Sequence, residues 1–212
     1  MATQSREKQV RSGRAEGKSP PPSKLKLSNA LETLLEDKDF GSITTAEISR
    51  TAGVNEALIY RYFGDKRGIL HHVLEVYLVD FHNALILEMK PVKGALNKLR
   101  VLIRGHIAMY DANRVFAKIL LLEVRNSPGY FESNTYELVK MYGRFLTAII
   151  NEGVESGEIR RDIPISRIRN MIFGSIEHLC LSPVIFGHAI NVDVVKDDIC
   201  TLLFEGIRTH KA

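Results

Sequence analysis

Cysteine is scarce in this sequence, which excludes a fold that depends on disulfide bonds. Of 212 residues only Cys180 and Cys200 are cysteines; they form no C-x-x-C pair, and both stand among apolar residues. This usage predicts two buried thiols in a reducing compartment. No apolar run approaches the roughly 18 residues that a membrane-spanning helix needs, and the basic N-terminus lacks the apolar segment of a secretory signal. We therefore expect a cytoplasmic protein without a membrane partner.

The motifs of common enzyme and metal-binding classes are also missing. The chain has no H-E-x-x-H, no phosphate-binding P-loop, no G-x-S-x-G and no dinucleotide fingerprint. His71, His72 and Glu75 come nearest to a metal site, but only His71 and Glu75 share a helix face, and two ligands do not make a site. We expect a protein that is not an enzyme and that holds neither a metal nor a cofactor.

The composition allows a core and leaves an anionic partner open. Hydrophobic residues make up 45% of the chain and charged residues 25%, and the net charge is +4, which permits an anionic partner without requiring one. Residues 1–23 are polar, include three consecutive prolines and have almost no large apolar groups, so we predict a disordered tail there. Its excess of basic residues leaves two interpretations, a solvated tail or an arm that attracts phosphates.

From residue 24 onward the apolar residues recur at helical spacing. Alternation of period two, repeats and heptads are absent, so the predicted fold class is all-α. Short helices precede a long helix from residue 66 to about residue 89. Val115 to Val124 is apolar almost all round, which predicts a central buried helix. Pro183 is predicted to end or kink a helix, and a last helix is predicted from about residue 194 to residue 207.

The segment TTAEISRTAGVNEALIYRYFGDK, residues 44–66, is the most informative about function. Gly53 suits the left-handed turn between two short helices, and Thr44 or Thr45 and then Asn55 suit their N-caps. Helices this short are stable only when packed. A steep angle at the turn gives helix-turn-helix geometry, whose second helix fits a major groove. The predicted small core that fixes this angle consists of Ile48, Ala52, Val54 and Ile59.

The side chains of this segment divide into phosphate and base contacts. Hydroxyl groups at positions 45, 60 and 62 and the Lys66 ammonium reach phosphates, whereas Arg61 forks onto a guanine edge or pairs with a phosphate. The first turn of the second helix is expected to lie nearest the bases, where Glu56 either accepts from a cytosine amino group or points away, and where Ala57 and Leu58 are expected to contact thymine methyls. The predicted DNA-binding residues are Thr44, Thr45, Asn55, Glu56, Ala57, Leu58, Tyr60, Arg61, Tyr62 and Lys66.

Residues 24–72 closely resemble the DNA-binding domain of TetR-family transcriptional regulators. The sequence departs from the family pattern at Asn55, where serine is common, and at Ala57 and Leu58, where glycine or threonine is usual. Leu58 removes a polar base contact and affects the operator preference rather than the family. The matching residues are Thr45, Ile48, Ala52-Gly53-Val54, Ile59-Tyr60, Tyr62-Phe63 and Lys66.

The resemblance implies that residues 73–212 form an all-helical domain that binds a ligand and dimerises. A homodimer would bind a pseudo-palindromic operator, as a repressor released by a small hydrophobic molecule. By layout, residues 138–154 and 165–181 stand where the family places its dimer helices. The predicted interface residues are Leu138, Tyr142, Phe145, Ile149, Ile168, Ile172, Ser175 and Leu179.

A largely apolar ligand pocket is expected among the helices from residue 96 to residue 173. Residues 123–127 and 172–174 also resemble TetR-type regulators of fatty-acid metabolism that sense acyl-CoA, which makes acyl-CoA a candidate effector. Two other functions stay open: a non-specific or architectural DNA-binding protein, and a helical enzyme. The pocket candidates, each with packing or surface contact as its alternative, are His106, Tyr110, Phe116, Leu120, Glu123, Tyr142, Phe145, Phe173 and Glu177.

Overall fold

The computed structural model describes residues 20–208, which form nine α-helices and no β-strand. The predicted all-α class is therefore confirmed. An isolated antiparallel bridge joins Ile159 to Arg208, and short 3-10 turns lie at Phe40–Ser42 and Tyr130–Glu132. The helices are α1 (Pro22–Asp37), α2 (Thr45–Ala52), α3 (Ala57–Phe63), α4 (Lys66–Met89), α5 (Ala95–Ala112), α6 (Arg114–Lys118), α7 (Asn134–Ser156), α8 (Ile165–Phe186) and α9 (Val192–Ile207).

Several helix boundaries differ from those predicted. α1 begins at Pro22, since a proline at the first helical position gives up no needed hydrogen bond. The predicted tail therefore extends two residues too far, and its residues 1–19 lie outside the described residues. Pro183 lies inside α8, which continues to Phe186. The last helix begins two residues early, after Asn191, whose side chain accepts from the Val194 amide.

The apolar segment after α6 is buried as predicted, but it is not one α-helix. From Ile119 to Val124 the chain is π-helical, with Ile119, Leu120, Leu121 and Val124 buried. A π-helix is rare, occurs mostly as a single turn within an α-helix, and is frequently found at functional sites. We call these six residues the π-segment.

The buried side chains form two clusters. The first, here the N-terminal core, joins α1, α2, α3 and the first half of α4, and includes the fully buried Leu27, Ile48 and Ile59. Ala52 and Val54 pack against it, so the predicted core of the helix-turn-helix is confirmed. The second cluster, the C-terminal core, joins the end of α4 to α5, α7, α8 and α9.

Two elements belong to both cores. α4 contributes Ile69, Leu70, Val73 and Leu74 to the N-terminal core and Leu85 and Met89 to the C-terminal core. The π-segment contributes Ile119, Leu120 and Val124 to the first and Leu121 to the second. A movement in the C-terminal core can therefore reach the helix-turn-helix through α4 or through the π-segment. A division near residue 72 remains a prediction.

Candidate nucleic-acid interface and internal cavity

The turn between α2 and α3 has the geometry that its sequence predicts. Thr44 is the N-cap of α2, and its hydroxyl accepts from the Glu47 amide at 3.1 Å. Gly53 ends α2 in the left-handed region at φ 63°, where only glycine is free of strain. The Asn55 side chain then accepts from the Ala57 amide at 2.8 Å. Thr44 rather than Thr45 is therefore the N-cap of α2, whereas the N-cap of α3 is Glu56, and Asn55 bonds the first amide of α3 from one residue further back.

α3 presents a narrow face to solvent. Ile59 is fully buried and anchors the helix, whereas Tyr60 is 55% exposed. Ala57 and Arg61 are also exposed, as is the cap residue Asn55. An exposed aromatic beside an exposed arginine, on a helix anchored by one isoleucine, can contact a nucleic acid without disturbing the fold.

Other predicted contact residues are partly used by the protein itself. Leu58 is half-buried and packs against the N-terminal core, so part of its side chain serves packing, and its contact with a thymine methyl stays a prediction. Tyr62 shares a hydrogen bond of 3.0 Å with the Ser23 hydroxyl of α1. Thr45 and Glu56 are half-buried. The freely exposed part of the predicted set is therefore smaller than expected.

Lys66 has a structural role that its sequence position did not reveal. Its ammonium donates to the main-chain carbonyls of Phe40 at 2.8 Å and Ile43 at 2.6 Å and lies 4.3 Å from the centre of the Phe40 ring. Burial lowers its pKa. This lysine therefore fastens the start of α4 to the loop before α2, and the phosphate contact stays a prediction beside that structural role.

The junction between α3 and α4 is tight. A Cβ atom at Gly68 would lie 1.8 Å from the Phe63 carbonyl oxygen. The Asp65 carboxylate caps α4 by accepting from the Gly68 amide at 2.7 Å. α3 is thus held closely against the first turn of α4, so a displacement of α4 carries α3 with it.

A cavity of about 70 Å³ lies between α4, α5, α7, α8 and the π-segment. Six of the nine predicted pocket residues line it: His106, Tyr110, Leu120, Tyr142, Phe173 and Glu177. Sequence reasoning missed the contributions of α4 and of Arg125, and it placed Leu138 at an interface. The remaining lining residues are Leu78, Phe81, His82, Met109, Arg125, Leu138 and Val139.

Three predicted pocket residues lie elsewhere. Phe116 stacks on Tyr77 with ring centres 5.1 Å apart and packs against the N-terminal core. Phe145 contacts the far side of His82 at 5.3 Å. Glu123 faces an outer cleft between α1 and α6. Only Glu123 belongs to the π-segment, whereas Phe116 lies on α6 and Phe145 on α7, so the packing of neighbouring helices decides where these three side chains lie.

His106 lies at the centre of an aromatic cluster in the cavity wall. Its ring centre is 4.7 Å from that of Tyr110, 5.4 Å from Tyr142 and 5.9 Å from Phe173. Its Nδ1 and the Tyr142 hydroxyl are hydrogen bonded at 3.3 Å. Burial disfavours the charged imidazole and lowers the pKa of His106 to about 4. This part of the wall, around His106, is therefore neutral and aromatic at pH 7.

Arg125 and Glu177 form the charged part of the cavity wall. The Arg125 guanidinium donates to both carboxylate oxygens of Glu177, at 2.9 Å and 2.6 Å. The Glu177 carboxylate raises the pKa of Arg125 still further. This bidentate pair joins the end of the π-segment to α8. Within residues 20–208, no group of three or more His, Cys, Asp or Glu side chains could hold a metal ion.

Two family models together match most of the chain. The model "Bacterial regulatory proteins, tetR family" matches residues 27–73. The model "YsiA-like protein, C-terminal region" matches residues 75–206. The chain belongs to the TetR family of transcriptional regulators. Helix-turn-helix DNA binding by residues 44–66 follows from this membership, as the sequence resemblance implies.

Curated and solved TetR-family relatives extend over nearly the whole chain. The "Fatty acid metabolism regulator protein" of Bacillus subtilis is 25% identical over 186 residues, covering 88% of this chain and 96% of the relative. The B. subtilis regulator FadR in complex with stearoyl-CoA superposes with a TM-score of 0.77 at 25% identity, over 87% and 99% of the two chains. FadR from Bacillus halodurans shares the fold, with a TM-score of 0.79 at 22% identity over 91% and 100%.

The surface available to a second copy of this TetR-family chain differs from the predicted one. Ile149, Ile168 and Ile172 are buried in the subunit's own C-terminal core, so they cannot contact a partner, and that part of the prediction is wrong. Leu138, Tyr142 and Phe145 lie on α7, which packs between α4, α5 and α8. Ser175 and Leu179 remain on the outer face of α8. The exposed apolar side chains of α8 and α9 are Met171, Leu179, Ile185, Phe186, Val194 and Leu202.

None of the helices within residues 20–208 has the length and apolar character needed to cross a membrane.

Proposed function

We propose that this protein is a homodimeric repressor of fatty-acid metabolism genes, released from its operator by a long-chain acyl-CoA. The observation that carries the proposal is the nearly full-length match, in sequence and fold, to a fatty acid metabolism regulator whose structure contains stearoyl-CoA. A cavity lined mainly by aromatic and aliphatic side chains supports it. The cytoplasm is where such a repressor and its operator meet, and transcriptional regulation rather than catalysis is its activity.

The exposed face of α3 supplies the DNA contacts in this proposal. Arg61 and Tyr60 project from the helix, and the arginine fork can pair with a guanine edge or with a phosphate. Asn55 and Ala57 lie at the first turn, nearest the bases. One α3 reads few bases, so two copies about one helical turn apart are needed for a specific operator.

The outer faces of α8 and α9 supply the dimer contacts. Met171, Leu179 and Phe186 are 57%, 50% and 67% exposed on α8, and Leu202 is 78% exposed on α9. Single exposed apolar residues are ordinary, but this series recurs at helical spacing along one face of α8. Burying such a face against its symmetry mate gives a closed two-fold dimer.

Effector binding requires the cavity to widen. Its volume of about 70 Å³ is well below the roughly 300–1,000 Å³ of sites for drug-sized ligands. A long acyl chain therefore fits only a widened state, and this difference in affinity shifts the protein toward that state. Leu78, Phe81 and His82 of α4 line the cavity, so widening displaces α4 and, through the Gly68 junction, α3.

Selection of bound sequences from random DNA at physiological salt tests the DNA-binding part of the proposal. We expect an enriched pseudo-palindrome. Stearoyl-CoA should then release the purified protein from that operator, whereas coenzyme A without an acyl chain should not. Salt-sensitive binding without an enriched motif would favour the non-specific DNA-binding alternative. A palindrome with no response to stearoyl-CoA would retain the regulator and exclude the effector class.

A further inference from the structure

We infer that the Arg125–Glu177 ion pair holds the cavity closed in the DNA-binding state, and that the π-segment carries its release to the helix-turn-helix. The inference rests on the proposed function for the identity of the effector, but not for the mechanical role of the pair. It assigns to Arg125 and Glu177 a regulatory role distinct from ligand contact.

The position of the pair is the first support. Arg125 directly follows the π-segment, and Glu177 lies in the middle of α8, 52 residues further along the chain. Both residues line the cavity, so their two hydrogen bonds join the part of the wall that follows the π-segment to the part that α8 supplies. The side chains keep 36% and 31% of their accessible surface. A pair with this much access to water can separate without leaving two dry, unpaired charges.

The connections of the π-segment are the second support. Leu120 lines the cavity and also belongs to the N-terminal core. Immediately before the segment, Lys118 pairs with Asp39, which follows α1, at 3.0 Å. One end of the segment is therefore tied to the DNA-binding domain and the other end to α8. A shift at Arg125 displaces side chains that pack directly under the helix-turn-helix.

The hydrogen bonding of the segment is the third support. π-Helical turns are less favourable than α-helical turns and occur mostly in short stretches at functional sites. In the proposed mechanism this six-residue stretch, held at one end by a bidentate pair, converts to regular α-helix when the pair opens. The segment thus provides the two-state element that coupling between two sites requires.

A purely structural ion pair would behave differently, and the chain contains a matched control. Lys98 on α5 and Glu152 on α7 form another interhelical pair at 2.7 Å. Neither residue lines the cavity. Glu152→Gln therefore removes an ion pair of similar length between two helices of the C-terminal core without touching the π-segment.

Amide hydrogen exchange of the full chain without effector is the first test. Glu177→Gln should speed exchange of the amides in residues 119–124, while Glu152→Gln should leave them at the wild-type rate. Equal protection of these amides in Glu177→Gln and wild type would overturn the inference. If Glu177→Gln does not fold, Arg125→Lys, which keeps the charge but loses the second hydrogen bond, takes its place.

Effector affinity is the second test, with stearoyl-CoA as the probe. Glu177→Gln should bind stearoyl-CoA at least about fivefold more tightly, because loss of the ion pair makes the closed state less stable relative to the open state that binds the effector. The charge-reversed double variant, Arg125→Glu with Glu177→Arg, should return the affinity toward wild type. Loss of a mere ligand contact would weaken binding instead, and weaker or unchanged affinity in Glu177→Gln would refute the proposed role. If wild type does not bind stearoyl-CoA, the proposed effector fails, and hydrogen exchange still decides the role of the pair.

Discussion

Acidification should destabilise this protein through His106, and the size of the effect follows from its burial. His106 is 5% exposed, and its pKa in the folded protein is about 4 instead of the ordinary 6.5. Between these two pKa values the unfolded chain binds a proton that the folded protein excludes. The contribution to stability is therefore complete above pH 6.5 and declines as the pH falls toward 4.

The linkage relation gives the magnitude. With pKa values of 6.5 unfolded and about 4 folded, the free energy of unfolding should be lower by about 2 kcal/mol at pH 5 than at pH 7.5. Below pH 4 the loss from this residue should level off near 3 kcal/mol. Burial also lowers the pKa values of His71, His72 and His82, so the wild-type slope contains more than the His106 contribution.

A matched variant isolates that contribution. His106→Gln keeps a polar group beside the Tyr142 hydroxyl but does not titrate. Urea unfolding of both proteins at pH 7.5 and pH 5 gives the change in the free energy of unfolding with pH for each protein. One fixed protein concentration is used, because the stability of a dimer depends on concentration. We expect the variant to lose about 2 kcal/mol less than wild type over this interval. Parallel pH dependence in the two proteins would show that His106 is accessible to protons in the folded state and would refute the reasoning.

Three further substitutions test the structural roles assigned above. Gly68→Ala should lower the free energy of unfolding by about 3 kcal/mol and weaken operator binding, because its Cβ would meet the Phe63 carbonyl. Thermal unfolding measures the loss, with Gly41→Ala as the control because its Cβ meets nothing within 4 Å. Lys66→Met should lower the free energy of unfolding by about 1–3 kcal/mol, because two carbonyls lose their donor. In operator titrations over a range of salt, the dependence of the logarithm of affinity on the logarithm of salt concentration should keep the wild-type slope, whereas loss of a phosphate contact would reduce that slope by about 1. Leu202→Arg should leave the subunit folded but shift sedimentation from dimer to monomer, and an unchanged dimer would place the interface elsewhere.

The helix-turn-helix was predictable because its signals are local. A cap, a left-handed glycine and an isoleucine on each helix lie within twenty residues, and each has one dominant physical reason to be there. The all-helical class likewise follows from periodicity. Four of the six pocket residues, His106, Tyr110, Tyr142 and Phe173, were predictable because an aromatic or histidine side chain on an apolar helix face points inward wherever the partner helix lies.

The rest depends on which helices meet, and sequence spacing does not report this. Arg125 and Glu177 pair across 52 residues, and nothing local marks either as the other's partner. Lys66 follows a pattern typical of phosphate contacts, yet its nearest acceptors are carbonyls brought close by the fold. α7 has a long apolar stripe that fits an interface as well as a core, and its position between three other helices decides the matter.

On α3, the residue that packs against the core is separate from the residues exposed to solvent, and this separation affects how operator preference can change. Only Ile59 is fully buried there, whereas Ala57, Tyr60 and Arg61 contribute little to packing. Substitutions at these three positions can alter the recognised sequence at small cost to stability, since exposed helix positions tolerate most residues. The cavity is formed by other helices and stays the same through such changes. Substitutions on α3 can therefore change the operator that the protein recognises while the effector proposed above stays the same.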